Sequence, residues 1–171
     1  MSINRRAILA FASAATVFSL FAGAAMAEPD YKDKIRIFYD TFNKNDPALL
    51  DQIIAEDWVH IPANTPGEEP GREGFKKLVP GFAATFKDGN IKIEDIVQEG
   101  NKVVVRSSYT ATQVGPFMGF EPKGRPFTIM TIDVHEFNKD GLVQTTWHLE
   151  DWLGGLYQMF ALRCTTATAS R

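Results

Sequence analysis

The residues of this chain that could do chemistry are a few acids and three histidines set in strand-like segments: Asp133, Asp151, His60, His135 and His148. From Leu142 to Asp151 the pattern alternates. Val143, Thr145, Trp147, Leu149 and Asp151 share one face, and Gln144, Thr146, His148 and Glu150 share the other. The first set is the more apolar, which sends it to the core and takes Asp151 with it. A carboxylate at the end of a core-facing row is costly unless it is paired or faces a polar cavity. Asp151 is therefore a candidate general acid/base, with a structural cap, an ion pair with Arg, or a strand that ends one residue early as the plainer alternatives.

The preceding segment places Thr131, Asp133, His135 and Phe137 on one face and Met130, Ile132, Val134 and Glu136 on the other. Period alone buries the Met/Ile/Val face and leaves Asp133 and His135 in water. If both faces are covered, the same pair lines a pocket. His60, in Trp58-Val59-His60-Ile61-Pro62, is a third candidate, open to a core role or a catalytic one. His148 points away from Asp151, and neither His-x-His nor His-x-x-Glu-His occurs, so no metal is expected. Gly-x-Ser-x-Gly, Walker and Gly-x-Gly-x-x-Gly motifs are absent too. What is left is acid/base chemistry on a small molecule, or binding alone.

The elements that must position these residues follow from periodicity. Tyr31, Ile35, Phe38 and Phe42 form one stripe of a helix over Asp30–Asn43. Asn45-Asp46-Pro47 stops it and starts a second helix, capped by Asp46, with Leu49, Leu50, Ile53 and Ile54 as its apolar face. A short strand over Glu56–Ile61 and a proline-rich loop to Gly71 precede a third helix with Phe75, Leu78, Val79, Phe82 and Phe86 in register, which Pro80 should kink or break. After Gly89 the period becomes two, with strands over Ile91–Glu99, Lys102–Thr112, Pro126–Asn138 and Leu142–Asp151. Glu99-Gly100-Asn101 and Asn138-Lys139-Asp140-Gly141 are the hairpin turns. Helices first and an antiparallel meander afterwards define an α+β domain.

Only the first thirty of 171 residues contain a long apolar run, and composition is that of one globular domain. Met1–Ala27 reads as a cleavable export signal: Arg5 and Arg6, an Ala-rich stretch, then Ala25-Met26-Ala27, with Asn4–Leu9 fitting a twin-arginine pattern. The expected location is periplasmic or secreted, without stable membrane insertion after cleavage. Residues 28–171 form the domain, with 160–171 a frayed tail that holds the only cysteine, Cys164. The full chain carries a net charge of −3; without the signal it has 16 Lys and Arg against 21 Asp and Glu. That balance gives no footprint for nucleic acid.

Several strings in order resemble the SnoaL-like polyketide cyclase (ester cyclase) family of the nuclear transport factor 2-like superfamily. They are Asp57-Trp58-Val59-His60-Ile61-Pro62, Gly71-Arg72-Glu73-Gly74-Phe75, Glu94-Asp95-Ile96-Val97, Val103-Val104-Val105-Arg106, Gly115-Pro116-Phe117 with Gly119, Gly124-Arg125-Pro126, and Trp147-His148-Leu149-Glu150-Asp151 with Leu153-Gly154. The resemblance implies a cone-shaped, strongly curved antiparallel sheet closed by about three helices around an apolar pocket. It implies Asp151 as acid/base in an intramolecular aldol closure, assisted by His135 with Asp133 beside it, and no metal or cofactor. His60 matches a histidine common in the family's first strand.

These readings combine into an exported acid/base enzyme of the cyclase, isomerase or lyase kind. Its pocket is expected to be lined by Phe38, Phe82, Phe117, Trp147 and Phe120 or Met118. The rival is a non-catalytic ligand-binding or dimerisation module on the same fold. The segment Gln113–Gly124 is expected at the pocket rim, because the strands before it and before Asp151 run the same way. A sheet exposing Met130, Ile132 and Val134, or its opposite face, points to a homodimer.

Overall fold

The computed structural model describes residues 29–62 and 68–159. The segment expected to be an export signal, Cys164 and the tail over 160–171 lie outside the described residues. Helix α1 (Arg36–Asn43) follows a turn at Tyr31, whose ring stacks on Phe137 at 4.0 Å. α1 buries Phe38, Tyr39 and Thr41. The second predicted helix is instead a short 3₁₀ helix, Pro47–Gln52, with Asp46 accepting from the Ala48 amide at 3.0 Å. It ends early because Ile53 and Ile54 are drawn into the sheet: Val143 donates to the Ile53 carbonyl, and strand β1 begins at Ile54 (Ile54–Ile61).

Helix α2 (Gly71–Thr85) runs through Pro80 without ending. Gly71 is required at its start, with φ +76° and an added Cβ 2.7 Å from the Glu56 carbonyl oxygen. β2 (Phe86–Glu99), β3 (Lys102–Gln113), β4 (Pro126–Phe137) and β5 (Val143–Glu150) form the meander. The sheet order is β1-β5-β4-β3-β2. β1 pairs with β5 in parallel, so the sheet is mixed, and it stays open between its edge strands β1 and β2. α1 packs on β2, and α2 on both β1 and β2, so the helices cover one face. A further helix, α3 (Trp152–Gln158), follows β5 and packs on β4.

The inward rows differ from the predicted ones. On β4, Phe127, Ile129, Thr131, Asp133, His135 and Phe137 are all buried. On β5 the inward residues are Thr146, His148 and Glu150, while Leu149 is 71% exposed. The outward face carries an apolar row of its own. Val97, Val104, Val134, Trp147 and Ile61 are cross-strand partners in a continuous row over all five strands. Counting apolar residues per face therefore inverted both strands. The interior contains a polar patch beside its buried Val103, Val105 and Val143, and the outer surface carries Val97, Val104 and Val134.

Candidate active site

The inward rows of β4 and β5 pair polar group against polar group: Thr131 opposite Glu150, Asp133 opposite His148, His135 opposite Thr146. β1 adds Trp58 and His60, and α1 adds Tyr39. The hydrogen bonds join end to end. Trp58 Nε1 donates to Thr146 Oγ1 at 3.0 Å, and Thr146 Oγ1 lies 2.9 Å from His135 Nδ1. His135 Nε2 lies 3.0 Å from the Tyr39 hydroxyl, which donates to Asp133 Oδ2 at 2.8 Å. His148 Nδ1 meets Asp133 Oδ1 at 2.5 Å, and its Nε2 meets Glu150 Oε2 at 3.1 Å. Trp152 Nε1 donates to that same Glu150 oxygen.

Donor counting fixes the direction of every link. The indoles at both ends can only donate, and ionised carboxylates can only accept. Tyr39 has one proton and gives it to Asp133, so its oxygen must accept from His135 Nε2–H. His135 is then the neutral Nε2–H tautomer, and its Nδ1 accepts from Thr146, which in turn accepts from Trp58. His148 faces a carboxylate at each nitrogen and is doubly protonated.

The pKa displacements agree with this assignment. Burial holds His135 down at about 4 against an opposing pull from Asp133, and the positive charge of His148 adds to the lowering. Burial alone would also lower His148, but its hydrogen bonds to Asp133 and Glu150 win and lift it to about 10. Burial works to raise Asp133; the hydrogen bond from His148 and the neighbouring histidines outweigh it and hold the carboxyl low. Tyr39 is pushed well up by burial and by Asp133.

Beside this network is a cavity of about 420 Å³, within the usual range for small-molecule sites. Asp133, His148, Glu150 and His60 are among its polar lining, with Thr131, Thr85 and Lys77, and Phe38, Phe42, Phe75, Phe82, Phe86 and Trp152 are among its aromatic walls. Phe117 and Met118 also line it. Their segment is held to the end of α2, where the Thr85 carbonyl accepts from both Val114 and Gly115 amides. His60 stacks on Trp58 and sits 3.6 Å from Glu68 across Nδ1, too far for a hydrogen bond. Burial, then the charge on His148, lowers its pKa against the pull of Glu68 and Asp133, so the ring is kept neutral.

The placements sort the expected site residues. Asp133, His60, Phe38, Phe82, Phe117 and Met118 reach the cavity. His135 does not: its ring is fully buried behind Tyr39 and both nitrogens are occupied, so it orients the network without meeting a ligand. Trp147 lies on the outer face beneath the Lys102 ammonium at 5.2 Å, because its strand is turned the other way. Phe120 is partly buried behind the rim, paired with Phe117 through backbone bonds.

Asp151 is the principal correction. It is exposed and caps α3, its Oδ1 accepting from the Gly154 amide at 2.9 Å. Strand β5 ends one residue earlier, and the acid of this strand that faces the cavity is Glu150. Asp151→Asn is expected to keep the cap and leave stability within ~0.5 kcal/mol, while Asp151→Ala costs about 1 kcal/mol. Neither should change turnover in the cavity; thermal melts and rate measurements check both.

Glu150 and His148 were missed as site residues. Counting back from the Asn138–Gly141 turn would set Asp133 against Thr146; the pairing of Phe137 with Val143 and a register shift between Glu136 and Phe137 move it by two in all, to Asp133 against His148 and Thr131 against Glu150. Among the described residues no three His, Cys, Asp or Glu side chains are arranged to hold a metal ion.

An open five-stranded sheet with helices over an aromatic cavity, and a histidine–carboxylate cluster in its wall, defines a small-molecule protein of the nuclear transport factor 2-like fold. The profile of the SnoaL-like polyketide cyclase family matches residues 33–159, and the chain belongs to that family. Among solved structures it is similar to TsrD from Streptomyces laurentii, with 32% identity and TM-score 0.72, covering 79% of this chain and 100% of that one. It is also similar to wild-type IdmH from Streptomyces antibioticus, a proposed polyketide cyclase, with 30% identity and TM-score 0.65, covering 77% and 99%. No curated protein matches it. Family membership supports a cyclase- or isomerase-type role without a cofactor.

Proposed function

We propose that this protein is an acid/base enzyme that removes a proton from carbon next to a carbonyl in a small, apolar, cyclic molecule, as the first step of ring closure or isomerisation. The observation that carries the reading is Glu150. One carboxylate oxygen is held by His148 and Trp152, and Oε1 takes no hydrogen bond among the described residues, in the wall of an aromatic cavity. That oxygen is the base. His148, charged and fixed between two carboxylates, holds the head group in place and balances its charge. His60, neutral and beside the cavity, is placed to donate to the developing enolate oxygen. Aromatic walls exclude water and keep the enolate from a competing proton source.

The test needs no knowledge of the natural substrate. In D₂O the wild-type protein is expected to exchange the α-protons of 2-tetralone above the buffer rate, followed by NMR. A protein that binds 2-tetralone and accelerates nothing overturns the reading and leaves a binding module.

Export, resting on Arg5-Arg6 and Ala25-Met26-Ala27, and a homodimer are part of this proposal. The row Val97–Val104–Val134–Trp147–Ile61 supports the dimer, since a continuous outward apolar row calls for cover. Val134→Glu, at its centre, is expected to give a monomer by sedimentation with exchange activity retained.

A further inference from the structure

Among the described residues that line the main cavity, Lys77, Gly81 and Met118 are exposed, and the others are buried or half-buried. Lys77 and Gly81 are one turn apart on α2, and Thr85, a turn further, also lines the cavity. Met118 belongs to the segment between β3 and β4, which the Thr85 carbonyl holds through the Val114 and Gly115 amides. The Thr85 hydroxyl in turn donates to the Gly81 carbonyl at 2.9 Å. Phe117, beside Met118, packs on Phe86 at 4.9 Å, and Phe86 packs on Phe82, beside Gly81, at 5.1 Å. The exposed lining is thus gathered where α2 meets this segment. Phe82 and Phe117 both pack on Trp152, whose indole holds Glu150.

Gly81 is the member that packing does not account for. In the same helix an added Cβ would lie 2.7 Å from the Glu56 carbonyl oxygen at Gly71 and 2.0 Å from that of Glu69 at Gly74, so both must be glycine. At Gly81 it would meet nothing within 4 Å outside its own helix backbone, and the residue is not in the left-handed region. A glycine inside a helix costs roughly fivefold in the folding equilibrium relative to alanine. Pro80, just before it, has already removed one helix hydrogen bond. The chain carries both costs where α2 borders the cavity, and no contact within the fold requires the glycine.

We propose that the open space over Gly81 is the mouth of the cavity, and that Gly81 is a specificity-determining residue whose missing side chain admits neutral, fused polycyclic ligands. Neutrality follows from the rim: the Lys77 ammonium is already held by Glu69 at 2.6 Å, and Leu78, Phe82, Phe117 and Met118 are apolar. A side chain at this position narrows the passage without touching the proton-transfer groups. The proposal rests on the cavity being a ligand site and not on proton abstraction.

The test compares wild type with Gly81→Ala and Gly81→Leu by stopped-flow fluorescence. Benzanthrone, a neutral four-ring ketone, is followed by its own emission, and 2-tetralone by quenching of tryptophan, since Trp152 lines the cavity. Gly81→Leu is expected to slow both association and dissociation of benzanthrone roughly tenfold and to leave its Kd within about twofold. Gly81→Ala should act in the same direction by a smaller factor, and the two-ring ketone should enter all three proteins at similar rates. Tm is expected to be equal or higher in the variants, since each replaces a helix-interior glycine. Equal benzanthrone rates in wild type and variants overturn the proposal. So does a weaker Kd at an unaltered association rate, which would place residue 81 against the bound ligand instead of in its path. A Tm several degrees lower in Gly81→Ala, or a wild type that does not bind benzanthrone, overturns it as well. If Gly81→Leu does not fold, the rates of Gly81→Ala decide alone. Absence of α-proton exchange in the wild type would sink proton abstraction and leave the comparison of entry rates intact.

Discussion

Glu150→Gln is expected to lower exchange of 2-tetralone α-protons by about 10³-fold, within the range for loss of a positioned general base. The amide keeps the shape of the side chain and can still accept from Trp152 and His148, so binding of the ketone should change little. A fall in kcat with KM nearly constant is therefore the expected form of the result. Turnover of the variant at the wild-type rate would remove Glu150 from the mechanism. Asp133→Asn separates the neighbouring carboxylate from the base. It leaves His148 with one anionic partner in place of two, so its effect should appear first in stability and in the pH profile.

The second large effect belongs to His148. His148→Leu would leave Asp133 and Glu150 in the cavity wall without their shared cation, and a loss of about 3–5 kcal/mol in unfolding free energy is expected. The pH dependence of stability should carry the same signature. The folded chain holds the His148 proton up to about pH 10, while an unfolded histidine releases it near 6.5. Stability therefore falls as pH rises across that window, by up to ~1.4 kcal/mol per pH unit. His135 acts in the opposite sense. The unfolded chain takes up a proton below 6.5 that buried His135 refuses down to about pH 4, so stability also falls as pH drops. The two together place the maximum near pH 6.5. Chemical denaturation across pH checks it: His148→Leu should flatten the alkaline limb, and His135→Gln the acid limb.

Much of this architecture was legible in the residues. The four long strands, both hairpin turns and the three N-terminal helical segments were readable from period and turn chemistry, to within a few residues at most ends. Strand direction, too, put the segment after β3 near the end of β5, where Phe117 now packs 4.5 Å from Trp152. The sidedness of β4 and β5 was not legible. The usual inference that the apolar face is the buried one fails where the interior holds a polar-walled cavity and the exterior holds Met130, Ile132 and Val134. Asp151 was misread for the same reason: one reversed face turned a helix cap into a core acid and left Glu150 outside. The parallel pairing of β1 could not be read locally, because it joins residues almost ninety apart in sequence.

The alternation of β5 has a consequence for how such a protein can diverge. Thr146, His148 and Glu150 belong to the cavity side, while Trp147 and Leu149 between them belong to the outer surface. The two surfaces are interleaved by parity. A single inserted residue within the strand would exchange them beyond that point, presenting Leu149 to the carboxylate network and expelling the base to the exterior. Substitutions can retune either surface on its own, but insertions and deletions cannot. Changes of length are confined to the turns and to the segment between β3 and β4. Two properties that share no side chain are in this way tied to one frame.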